Sequence, residues 1–120
     1  MRLFFLTLSL APLLYGADMG SLLFHGNCVT CHHETKTISA PSATEFRQRY
    51  RDAFSTKEEF VSYMSNWVKK PSHEGSLMND AVKKHGLMPE LGFDEDALKT
   101  ICAYIYVTDF TEEEKTHPKR

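Results

Sequence analysis

The stretch CVTCHH, residues 28–33, sets two cysteines three positions apart and follows them at once with two histidines. Three chemistries use such a pair of thiols: a zinc knuckle, a thiol–disulfide couple, and covalent attachment of a haem. The rest of the chain decides among them.

Zinc takes four ligands, commonly from two such cysteine pairs. This chain has three cysteines in all, so a zinc site would have to recruit His33 and a distant partner. A thioredoxin-like couple is expected beside a βαβ pattern, and no Val/Ile/Thr-rich run alternates with period two. The segment C-x-x-C-H, residues 28–32, is the signature of c-type haem attachment. In that chemistry Cys28 and Cys31 add to the two vinyl groups, and His32 lies under the porphyrin to bind iron. By accident the pattern arises about four times in a thousand chains of this composition. His33 is turned by about 100° from His32 on a helical turn and reads as a surface residue. The same reading applies to His25, His73, His85 and His117.

The 120 residues, 42% hydrophobic and 25% charged, suit one compact domain. The opening MRLFFLTLSLAPLLYGAD pairs the positive Arg2 with the apolar run Leu3–Leu14 and the small residues Gly16 and Ala17, the pattern of a secretory signal peptide over residues 1–17. An apolar run of twelve residues is short of the about 20 that span a bilayer, so cleavage and export to the periplasm are expected, without stable membrane insertion. Without this leader, 13 of the 14 basic residues face 16 acidic ones, which argues against a nucleic-acid partner. Three cysteines cannot all pair with one another. A Cys28–Cys31 disulfide is the alternative to haem, and Cys102 reads as a buried thiol on an apolar helix face.

The mature chain reads as helices. Asp18 is the expected cap of a helix carrying Leu22, Leu23 and Phe24 into the cysteine motif, and a polar loop closes at Pro41. Capping boxes at Ser42 with Glu45 and at Ser55 with Glu58 start the next two helices. In the second of these Phe60, Met64, Trp67 and Val68 form one apolar stripe, ended by Pro71. LMNDAVKKH reads as a short helix containing Met78 and stopped by Gly86, and the irregular LMPELGF presents Met88 ahead of Pro89. Asp94 caps a last helix with Leu98, Ile101, Cys102 and Ile105 on one face. The fold class is therefore all-α, with a domain over 18–110 and a charged, solvated, flexible tail over 111–120.

Taken together, GSLLFHGNCVTCH, APS, RQRY, LMPELGF and DEDALKTICAYI occur in the order found in the small class I c-type cytochromes, and the chain resembles that family over almost its whole mature length. The resemblance implies four or five short helices wrapped around one covalently bound haem c, with the first and last helices crossing at Gly20, Phe24, Ile101 and Tyr104. It implies thioether bonds to Cys28 and Cys31, His32 as proximal iron ligand and Met88 as distal ligand, Met78 being the competing methionine. The family's proline carbonyl that meets the proximal histidine's second nitrogen corresponds to Pro41, preceded here by Ala40 in place of the usual glycine. Tyr50 and Trp67 are expected to face the haem, each with a polar handle for a propionate. Arg47 and Arg51 share a helix face beside Tyr50, expected to be solvated, with a propionate or partner contact as the alternative.

The function implied is that of a periplasmic one-electron carrier, not an enzyme, which docks with donor and acceptor redox complexes as a monomer or as a subunit of a hetero-complex. One alternative is the haem subunit of a periplasmic dehydrogenase, for example a molybdenum enzyme oxidising a sulfur compound. Another is a haem ligand-binding sensor.

Overall fold

The structure, a computed structural model, describes residues 15–116. Residues 1–14 of the expected signal peptide lie outside the described residues, as do the last four residues of the tail.

Six helices and no strand form among the described residues: α1 (Tyr15–Asn27), α2 (Ala43–Ala53), α3 (Lys57–Lys69), α4 (Asn79–His85), α5 (Glu95–Val107) and α6 (Phe110–Thr116). The all-α class holds. Among these helices none is long and apolar enough to cross a membrane.

Side-chain caps place most of the helix starts. The Ser42 hydroxyl accepts from the Glu45 N–H at 3.1 Å, and the Asp94 carboxylate accepts from the Ala97 N–H at 3.0 Å, as expected. The box at Ser42 is closed by an intermediary: the Ser42 N–H donates to the Thr37 hydroxyl, which donates to Glu45. At α3 the cap is Thr56, accepting from the Glu59 N–H at 3.2 Å, one residue later than the expected Ser55 with Glu58. Both registers satisfy the same S/T-x-x-E spacing, and the fold uses the one that buries Phe60 completely. Asp18 is not a cap, because α1 already begins at Tyr15.

Helix α5 is the hub, packed against α1 and α3 and touching α2. Its expected apolar face, Leu98, Ile101, Cys102 and Ile105, is buried throughout. Where α1 meets α5 the helices approach at Gly20. A Cβ there would lie 2.6 Å from the Tyr104 Cβ and 3.1 Å from the Thr100 carbonyl, so no other residue fits without moving one helix. Phe24 fills the space below, fully buried, with its ring 5.6 Å from Tyr104 and 5.1 Å from Phe110.

The chain is helical over 110–116: Phe110, the last residue of the expected domain, is 1% exposed, while Thr111, Glu112 and Lys115 are exposed. The reading of Arg47 and Arg51 is sharpened. Arg51 is exposed, as expected of a solvated face, Arg47 is half-buried, and neither lines the cavity described below. Arg47 donates to the Ile105 carbonyl at 2.8 Å and the Tyr106 carbonyl at 2.9 Å; Arg51 reaches Tyr106 at 3.3 Å and lies 5.0 Å from its ring centre. They satisfy the orphan carbonyls and the negative dipole end of α5.

Candidate functional site

The site grows from the end of α1. The Cys28 N–H donates to the Phe24 carbonyl at 2.8 Å, and the His32 N–H donates to the Cys28 carbonyl at 2.8 Å, so the C-x-x-C-H segment coils as one tight turn off the helix. Cys28 is half-buried and Cys31 exposed; they and Cys102 are free thiols. Burial pushes the Cys28 thiol up to about 11, the opposite of the activated thiolate of a thiol–disulfide enzyme. Among the described residues no three His, Cys, Asp or Glu side chains converge as a metal-ion site, as a zinc knuckle would require.

His32 is fixed at both ends. Its Nδ1–H donates to the Pro41 carbonyl at 2.7 Å, and the Phe46 ring stands edge-on 5.1 Å away. With the proton on Nδ1, the Nε2 lone pair is left free for a ligand bond. Burial lowers the ring's proton affinity, against the pull of the Pro41 bond, so the neutral, ligating form is favoured.

The second histidine of the pair builds the loop that carries Pro41. The His33 Nδ1 accepts from the Thr35 and Lys36 N–H groups at 3.1 and 3.0 Å. The carbonyls of His33 and Glu34 accept from the N–H groups of Ala43 and Thr44, each at 2.9 Å, and the Thr44 hydroxyl adds a bond to Glu34 at 2.8 Å. The loop is thereby clasped to the start of α2, which sets the Pro41 carbonyl over His32. The place of His33 on the surface turn hid this role, because its partners are backbone N–H groups that a residue pattern does not show.

Cys28, Cys31, His32, Pro41, Tyr50, Trp67 and Met88 all line one cavity of about 240 Å³, so every residue expected at the site lies on it. The wall is otherwise largely apolar, with Met64, Val68, Leu77, Ile101 and Ile105 among its members. Trp67 separates it from a wider open depression of about 640 Å³ that has no cysteine or histidine on its walls and hence no comparable donors.

The two aromatic residues differ in what they offer. The Trp67 Nε1–H donates to the Ser72 carbonyl at 3.0 Å, so the polar handle expected for a propionate is already engaged and only the ring faces the cavity. Tyr50 is 5% exposed, burial raises its phenol above the usual range, and its hydroxyl makes no hydrogen bond among the described residues. Of these two aromatic residues, Tyr50 is therefore the one with a hydroxyl to meet an acceptor held there.

Similarity to known proteins adds little to this geometry. An uncharacterized protein of Aquifex aeolicus (strain VF5) is similar, 24% identical over 132 aligned positions that span 88% of this chain and 87% of its own. No family model matches the chain. No solved structure matches it.

Three further residues line the cavity. Met78 was expected inside a helix; it is instead the N-cap residue of α4, 6% exposed, its N–H held by the Ser76 hydroxyl at 3.0 Å. Cys102 is buried as expected but is also part of the cavity wall. His85, read as a surface residue, lines the cavity too. Its signal was present: it stands four and three residues after Ala81 and Val82, the buried positions of α4.

Proposed function

We propose that this chain is a monohaem c-type cytochrome of the class I kind, a periplasmic one-electron carrier between donor and acceptor redox proteins. The observation that carries the reading is the convergence of Cys28, Cys31, a correctly protonated His32 and Met88 on one apolar cavity. These residues suit a haem: two thiols for the vinyl groups, an imidazole with its free nitrogen available, a thioether, and a tyrosine hydroxyl without a partner. The packing of α1 on α5 at Gly20 agrees with the helix crossing of that family.

A haem bound there supplies a one-electron ferric and ferrous couple. The chain's own residues do the rest. Cys28 and Cys31 tie the group to the end of α1, and Pro41 holds the His32 ring in place and raises its basicity as a ligand. Met88 offers a soft, neutral sulfur that favours the ferrous state and so raises the reduction potential. With His32 and Met88 both engaged, small molecules would be kept from the iron. The apolar wall lowers the local dielectric, and the exposed Cys31 marks the edge where a partner approaches.

Intact-mass measurement on protein made with a haem-attachment system is expected to show one added haem that acid extraction does not remove. The ferric protein should carry the long-wavelength sulfur-to-iron charge-transfer band, and the ferrous protein should bind little carbon monoxide. A mass equal to the bare polypeptide with a Cys28–Cys31 disulfide would sink the reading.

A further inference from the structure

The cavity carries more donors than one iron needs. Met78, His85 and Met88 all line it together with His32, and they are anchored very differently. Met78 belongs to the buried wall. Met88 sits in the segment 87–93, which among the described residues makes no hydrogen bond at all. His85 ends a helix: the Gly86 N–H donates to the Val82 carbonyl at 2.8 Å, closing the turn that holds it. Its imidazole has no hydrogen bond or ion pair among the described residues.

Resting on the haem reading above, we propose that His85 is a second distal iron ligand, which takes the sixth coordination position when Met88 leaves it. The geometry of the chain allows the exchange. Gly86 lies between the helix and the methionine loop at φ 87° and ψ 168°, a conformation essentially confined to glycine, so the chain turns sharply between His85 and Met88 and both reach the one cavity. The chemistry favours it as well. An imidazole suits ferric iron better than a thioether does, so loss of the sulfur leaves a competent nitrogen donor in the same cavity. With His85 in the place of Met88, the site would still be closed to small ligands.

The test compares wild type, Met88→Ala and Met88→Ala with His85→Ala, each made with a haem-attachment system. Met88→Ala should lose the sulfur-to-iron band yet keep a low-spin ferric electron paramagnetic resonance signal of the bis-imidazole type. Adding His85→Ala should convert it to high spin. If His85 fills the position at least nine-tenths of the time, carbon monoxide binding should tighten about tenfold or more in the double variant. A high-spin Met88→Ala protein would overturn the proposal, as would a double variant no different from the single one, or a sulfur band retained through Met78. Should the double variant fail to fold, Met88→Ala with His85→Gln gives the same comparison. An intact mass lacking haem in all forms would instead remove the cytochrome reading, and this inference with it.

Discussion

The two sides of the cavity are built by opposite means. On the side of Cys28 and His32, backbone hydrogen bonds run from Phe24 through Cys28 to His32, and a second set from His33 and Glu34 clasps the loop bearing Pro41. On the side of Met88, residues 87–93 make no hydrogen bond among the described residues, and the loop turns at two glycines with positive φ, Gly86 and Gly92. The first side positions its ligand before anything binds. The second side depends on side chains packing into the cavity, so its ligand is set by what fills that space. On the haem reading proposed above, a wall of the first kind would give a fixed bond through His32, and a loop of the second kind a bond through Met88 that can be exchanged.

The contrast breaks most visibly at the methionines. Met78→Ala removes a buried side chain and should cost about 2–5 kcal/mol of stability, read by denaturant unfolding, while the sulfur-to-iron band survives. Met88→Ala should do the reverse, abolishing the band with little change in the denaturation midpoint of the apo-protein. Reversal of these two outcomes would hand the distal position to Met78.

A smaller effect is expected at the joint of the distal loop. Gly86→Ala forces a Cβ into a glycine-only conformation and should cost about 1–3 kcal/mol. Because that strain sits beside the loop, it should also weaken the sulfur band, whereas a change of equal cost on the proximal loop should leave it unaltered. Thr44→Val supplies that control. It deletes the hydroxyl bond to Glu34, worth about 1 kcal/mol, and should lower the melting temperature without touching the distal spectrum.

The mildest probe is alkaline pH. Burial pushes the thiol of Cys28 from 9.0 up to about 11 and that of Cys102 up to about 12. Below pH 9 both thiols are protonated in the folded and the unfolded chain, and stability is unaffected. As the pH rises through 9 toward 11, the unfolded chain loses these protons first, so the folded state becomes less stable. Attachment of the haem converts Cys28 to a thioether with no proton to lose. Melting temperatures between pH 8 and 11 should therefore fall more steeply for the apo-protein than for the haem-loaded one. Equal slopes would mean that Cys28 contributes nothing to the alkaline transition.

Much of the molecule was legible because it is written over a few residues. Ser42 and Asp94 cap their helices through a hydroxyl or carboxylate that reaches three residues ahead. The C-x-x-C-H turn closes within five residues, and the buried faces of α3 and α5 follow their spacing. Where two local solutions were equally good, the sequence could not choose: Ser55 and Thr56 both precede a glutamate by three, and the fold uses Thr56.

Contacts between distant segments were not legible in the same way. Arg47 and Arg51 read as a solvated face until α5 ends beside them, 58 and 55 residues further on, with carbonyls in need of donors. Phe110 closes the expected domain, and that its ring packs against Phe24 and Tyr104 shows only in the fold. His85 reads as a surface residue until α4 turns its buried face, and that ring with it, to the cavity. By itself the sequence determined the all-α class, the caps at Ser42 and Asp94 and the C-x-x-C-H turn, since those depend on neighbours within one or two turns. Which side chains share the cavity with His32, and which arginines close α5, only the tertiary structure decided, because such contacts exist only once helices far apart in the chain are packed together.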